Sequence, residues 1–194
     1  GGTRLTEHGK RIIALYRAVE REYQESLDRL ATELDSGHSG DVQQFRRVLR
    51  RMSLRTSARN QFLCTVSGMR EGDVDYEVFL RMEGGAELIA VITRESAEIL
   101  GLAMGSEVFA LVKASSLLIL TDDAVHLSAR NQLWGVVSRV LPGPVNALVT
   151  IDLGGGKNVS AVVTNESVTA LGLAAGKRAA AVFKASSVIL SVID

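Results

Sequence analysis

The sequence predicts a mainly β protein with an N-terminal α-helical segment: two tandem OB-like five-stranded β-barrels after a long dimerisation helix. Two observations carry this. Ser57-Ala58-Arg59-Asn60-Gln61 recurs as Ser128-Ala129-Arg130-Asn131-Gln132, 71 residues later, and no gap is needed to align the rest of the two copies. Before them, apolar residues recur at helical steps over Ile12–Leu34. An ungapped repeat sets the architecture of a chain.

In order, Gly1-Gly2-Thr3-Arg4-Leu5 is too short to be a domain and reads as the tail of one. Thr6 is placed to cap a helix, with Glu7 in its first turn. Its apolar stripe, Ile12, Tyr16, Val19, Tyr23, Leu27, Leu30 and Leu34, advances in steps of three and four, as in a coiled coil. One apolar seam on a charged helix needs a partner: a second copy of the chain, or the chain's own repeats. Turn residues from Asp35 to Gly40 end it, and a shorter helix from Asp41 to about Met52 carries Arg46, Arg47, Arg50 and Arg51. Those arginines read as a solvated face or as a weak phosphate contact. The domains expected are 1–55, 56–123 and 128–194.

Each repeat reads as β-structure. In the first, strands are expected near Phe62–Ser67, Val74–Met82, Leu88–Ile92, Val108–Val112 and Leu117–Leu120, with Glu83-Gly84-Gly85 as a hairpin turn. Thr93–Leu100 reads as a short helix capped by Thr93 and stopped by Gly101. The second copy repeats this near Trp134–Val140, Val145–Leu153, Val159–Val163, Thr164–Leu171, Arg178–Phe183 and Val188–Val192. Five strands and one short helix in so few residues fit a small OB-type barrel. The linker near Ala124–Leu127 is too short for independent tumbling, so the barrels should pack together.

Composition narrows the function. Residues 1–55 hold 11 basic and 8 acidic side chains, and the repeats 11 and 14. An acidic balance with 5% aromatic residues disfavours a single-strand-binding barrel. No apolar run approaches a membrane span. A lone cysteine, Cys64, fits a reducing cytoplasm, and its counterpart Gly135 argues against a catalytic thiol. Gly154-Gly155-Gly156-Lys157 and Gly172 to Lys177 lack the spacing and hydroxyl of a P-loop. His8, His38 and His126 have no matching Cys or His for zinc. No enzyme is expected.

Only Arg59/Arg130 and Lys113/Lys184 are basic in both copies. Surface charge drifts freely because most of it is worth little, so two retained cations beside retained hydroxyls point to an anion site or to structural ion pairs. An oxyanion needs converging donors. Thr93 and Ser96 or Thr164 and Ser167 at the helix start, and Lys113 or Lys184 with the Ala-Ser-Ser that follows, would supply them. Plain helix capping is the alternative for the Thr/Ser pairs.

Ser-Ala-Arg-Asn-Gln, Val-(Ile/Val)-Thr-x-Glu-Ser, Leu-Gly-Leu-x-x-Gly and Lys-Ala-Ser-Ser together resemble the molybdate-binding Mop (TOBE) domain, twice in tandem over residues 57–194. The opening Gly-Gly-x-Arg-Leu-Thr-x-x-Gly-Lys, the long helix and Arg-x-Ser-Leu-Arg-Thr are similar to ModE-like molybdate-responsive transcription regulators. The resemblance implies a cytoplasmic homodimer that binds molybdate or tungstate between Mop modules. DNA would be bound only through a winged helix-turn-helix missing from this chain. It implies Ser57, Arg59, Thr93, Ser96, Lys113 and Ser115 as first-copy ligands, and Ser128, Arg130, Thr164, Ser167, Lys184 and Ser186 as second-copy ligands. A molybdate store of the molbindin type is the rival reading.

Overall fold

The computed structural model describes residues 56–192. The expected N-terminal helices, their dimerisation seam and the winged-domain tail lie outside the described residues.

Val, Ile and Leu alternate with polar residues through both repeats and fold into ten strands and two short helices. The first repeat gives β1 (Asn60–Glu71), β2 (Asp75–Met82), β3 (Glu87–Thr93), α1 (Arg94–Ile99), β4 (Glu107–Val112) and β5 (Leu118–Leu120). The second gives β6 (Asn131–Pro142), β7 (Asn146–Gly154), β8 (Lys157–Thr164), α2 (Asn165–Ala170), β9 (Arg178–Phe183) and β10 (Ile189–Ser191). A 3-10 turn precedes the last strand of each: Ala114–Ser116 and Ala185–Ser187. β1 extends past the expected end at Ser67. A bulge between Val66 and Gly68 absorbs one residue, and the strand continues paired with β2 as far as Glu71. β6 has its bulge at the equivalent place, between Val137 and Arg139.

The strand order departs from two self-contained barrels. One sheet runs β10-β4-β1-β2-β3 and the other β5-β9-β6-β7-β8. The last strand of each repeat therefore completes the other repeat's sheet: Leu118–Leu120 pairs with Ala180–Val182, and Ile189–Ser191 with Phe109–Leu111. All partners are antiparallel. Flanked on both sides, β4 and β9 bury every residue after their first. One contiguous apolar cluster includes Phe62, Leu80 and Leu88 from the first repeat and Leu133, Ile151 and Phe183 from the second.

Two buried side-chain amides fasten the repeats. Asn60 donates through Nδ2 to the Ser160 carbonyl at 2.9 Å and accepts from the Ser160 N–H at 2.7 Å. Asn131 does the same to Ile89, at 2.8 and 2.7 Å. Each amide imitates a strand partner for the third strand of the other repeat, and so satisfies backbone groups whose burial without partners is costly.

The turns follow their glycines. Gly101 and Gly172 both take φ +57° after the helix ends, where a side chain would be strained. Gly154, Gly155 and Gly156 all have positive φ in the β7–β8 turn, which accounts for the glycine run without any phosphate loop.

Candidate functional site

Thr93 and Thr164 end the third strands and cap the two helices. Thr93 Oγ1 accepts from the Ser96 N–H at 3.1 Å, with the two hydroxyl oxygens 2.8 Å apart. Thr164 and Ser167 repeat this at 3.1 and 3.0 Å. The capping expected of these residues is therefore present. The first amide of each helix is also taken: Arg94 N–H donates to the Val74 carbonyl and Asn165 N–H to that of Val145. Two of the first three amides thus serve the fold, which leaves each helix start offering mainly its pair of hydroxyls. Exposed Glu95 and Glu166 lie in the first turns. They complement the helix dipole and oppose an approaching anion.

Lys113 and Lys184 stand on extended backbone just before the 3-10 turns, and their side chains are exposed. Their carbonyls accept from Ser116 and Ser187 N–H at 2.9 and 3.0 Å. Ala114 and Ala185 are buried and anchor the turns, while Ser115 and Ser186 face outward. Because the final strands are exchanged, these turns cross over as well. Ala114–Ser116 packs on β8, which ends at Thr164, and Ala185–Ser187 packs on β3, which ends at Thr93.

The arginines follow the same crossing. Arg59 precedes Asn60, which is pinned to β8, and Arg130 precedes Asn131, which is pinned to β3. The twelve candidates therefore do not sort by copy. Thr93 and Ser96 share a strand neighbourhood with Arg130, Lys184 and Ser186. Thr164 and Ser167 share theirs with Arg59, Lys113 and Ser115. Ser57 and Ser128 are exposed two residues before the arginines, and no hydrogen bond among the described residues ties them to either group.

The two groups differ in ion pairing. Arg130 bonds Glu77 Oε1 on β2, and Glu77 Oε2 is held by Arg70 at 3.2 Å. Arg59 forms no ion pair among the described residues. Glu77 has Leu148 as its counterpart, so this asymmetry is written in the sequence, although nothing there tells which arginine Glu77 meets.

Asn60 and Asn131 are the residues that inspection of the sequence passed over. They belong to the pentapeptide repeated without change, beside the arginines that drew the attention as cations. Their retention is explained by the strand clamp. Cys64 is buried, and desolvation pushes its thiol up to about 12, which agrees with an inert side chain. Among the described residues no cluster of His, Cys, Asp and Glu is arranged to hold a metal ion, and no helix is long and apolar enough to cross a membrane.

Comparison with known proteins places these features. The TOBE domain model matches twice, at residues 56–119 and 127–190. The chain is 55% identical over 192 residues to the molybdenum transport protein ModE of Azotobacter vinelandii, covering 99% of this chain and 71% of that protein. It is 34% identical to the DNA-binding transcriptional dual regulator ModE of Escherichia coli K12, over 100% of this chain and 72% of that one. Among solved structures, the cytoplasmic molybdate-binding protein ModG, determined with molybdate bound, is 50% identical. It superposes with a TM-score of 0.70 over 72% of this chain and all of ModG. The similarity to ModE proteins runs through both TOBE domains and the residues before them, and the chain belongs to the ModE family.

Proposed function

We propose that this chain binds a tetrahedral oxyanion, molybdate or tungstate, and forms the effector-binding and dimerisation region of a molybdate-responsive transcription regulator. The observation that carries the reading is the crossing of the Lys-Ala-Ser-Ser turns. Each brings one of the retained lysines and a serine to the strand that ends in the other copy's Thr-x-x-Ser pair. A dianion offers only acceptors; an ammonium group and a guanidinium offer only donors, and each hydroxyl can turn one O–H toward it. Relatives named for molybdenum and a solved molybdate-binding protein of the same fold support the choice of anion.

A homodimer belongs to the same reading. Val74 and Val145, which occupy equivalent positions, are 71% and 66% exposed; Leu118 and Ile189, likewise equivalent, are 61% and 64% exposed. Charges on the surface have drifted between the copies, but these apolar pairs have not, as expected if a second chain covers them. Val74 and Val145 adjoin the helix starts, and Leu118 and Ile189 closely follow the 3-10 turns. The second chain would therefore close over the anion.

The storage reading is favoured by the likeness to ModG, but that likeness covers 72% of the chain, whereas the transcriptional regulator ModE of Escherichia coli K12 matches 100% of it. Exhaustive dialysis against molybdate, followed by elemental analysis of the protein and sedimentation at micromolar concentration, tests both parts. Molybdenum retained in simple ratio to a two-chain mass is expected. A protein free of molybdenum would end the effector reading, and a one-chain mass would end the dimer.

A further inference from the structure

We propose that Glu77 acts as a built-in competitor for the anion at Arg130, so that the two kinds of site bind unequally and the Arg59 site fills first. This rests on the oxyanion reading above. The geometry is one-sided. Glu77 has a side chain only 15% exposed, and its two carboxylate oxygens are shared between Arg130 and Arg70. At the equivalent positions of the second repeat Leu148 replaces Glu77 and Leu141 replaces Arg70. Among the described residues Arg59 accordingly has no carboxylate to leave.

A carboxylate and a tetrahedral oxyanion compete for the same N–H donors of a guanidinium, and Glu77 Oε1 already accepts from Nη1 of Arg130. An anion arriving at Arg130 has two courses. It displaces Glu77, which stays paired with Arg70, or it shares Arg130 with a carboxylate already bound there. Both lower affinity, and neither operates at Arg59. Arg70 gives the device its character. It holds Glu77 in place when Arg130 lets go, so the carboxylate neither collapses into the vacated position nor swings out to solvent. The contact is an autoinhibitory one, released by ligand.

The test is calorimetric titration of the full chain with sodium molybdate. Glu77→Leu, which copies the second repeat, should tighten the weaker class of site by about twofold to fivefold, the range expected for freeing a half-exposed arginine from its ion pair. Glu77→Gln should do the same to a smaller extent, and it serves as the reading if the leucine variant fails to fold. Leu148→Glu should weaken the stronger class. Adding Glu77→Leu to Arg130→Ala should change nothing further, because the competitor then has nothing to compete for. Equal affinities in the wild type that Glu77→Leu leaves unmoved would overturn the proposal while leaving the oxyanion reading intact. Tightening by Glu77→Leu that persists in the Arg130→Ala background would also overturn it, since the effect would then be general charge. No molybdate binding by the wild type would defeat the oxyanion reading itself, and this proposal with it.

Discussion

Asn60 holds Ser160 as a neighbouring strand would, giving and receiving one hydrogen bond through a side-chain amide across 100 residues of sequence. Both groups of Ser160 would lose their partner in Asn60→Ala. Two partly buried backbone groups that lose their partner cost about 1–3 kcal/mol together. Asn131→Ala should cost about as much, because Ile89 is held in the same way. Urea unfolding followed by circular dichroism checks both, and a loss well under 1 kcal/mol in either would show that water replaces the amide.

The crossing of the turns predicts which ligand residues work together. Lys113→Ala and Lys184→Ala should each weaken molybdate binding at one class of site by about tenfold, the loss of a charge-assisted hydrogen bond. In double-mutant cycles Lys184 should couple to Thr93, and Lys113 to Thr164, by about 0.5–3 kcal/mol, whereas Lys113 and Thr93 should add. Coupling within one copy, Lys113 with Thr93, would show that the sets assemble in another way. Lysine variants that melt lower without ligand, yet bind normally when folded, would make both residues structural.

Gly135 admits no side chain. A Cβ there would lie 2.1 Å from the Asp152 carbonyl oxygen and 2.9 Å from Ile151 Cγ2. Gly135→Ala must push β6 from β7 and should cost about 1–3 kcal/mol, or block folding. Its counterpart in the first repeat is Cys64, a larger residue, so the two copies have diverged in packing here despite their common register. Thermal melting of the alanine variant is the check.

Cys64 makes stability fall in alkali. Its thiol is raised by burial from 9.0 to about 12. Between these values the unfolded chain has lost the proton and the folded chain still holds it, so ionisation favours unfolding. The contribution is whole below about pH 9 and is lost as pH rises toward 12, at up to about 1.4 kcal/mol per pH unit. Cys64→Ala should flatten that part of the profile. In the native protein at pH 8, thiol reagents should react only as fast as the chain opens.

The strands, the two helices and the hairpin glycines were legible because periodicity, caps and turns are local. The exchange of final strands was not, and the reason is the repeat itself. Leu118 pairs with Val182, and the residue equivalent to Val182 is Leu111. Pairing within a copy and pairing across copies both present apolar side chains, so no pattern of polarity separates them. The same degeneracy hid Asn60, whose partner Ser160 has Ile89 as its equivalent, and it led the candidate ligands to be grouped by copy. The ion pair of Arg130 was hidden for the opposite reason. Glu77 has no acidic counterpart, and a charge present in only one copy looks like surface drift until its partner is seen.

The exchanged strands separate heredity from folding. The duplicated stretch recurs at an offset of 71 residues, but the smallest assembly with complete sheets contains two copies of it. A harmful change at Leu190 would therefore appear as a defect in the sheet of the first repeat, where it pairs with Ala110. A chain cut near residue 124 would yield halves that each lack an edge and carry a spare strand for the other. Such halves, produced together, are the natural material for reassembly from two polypeptides, and a lone half has every reason to pair with another of its own kind.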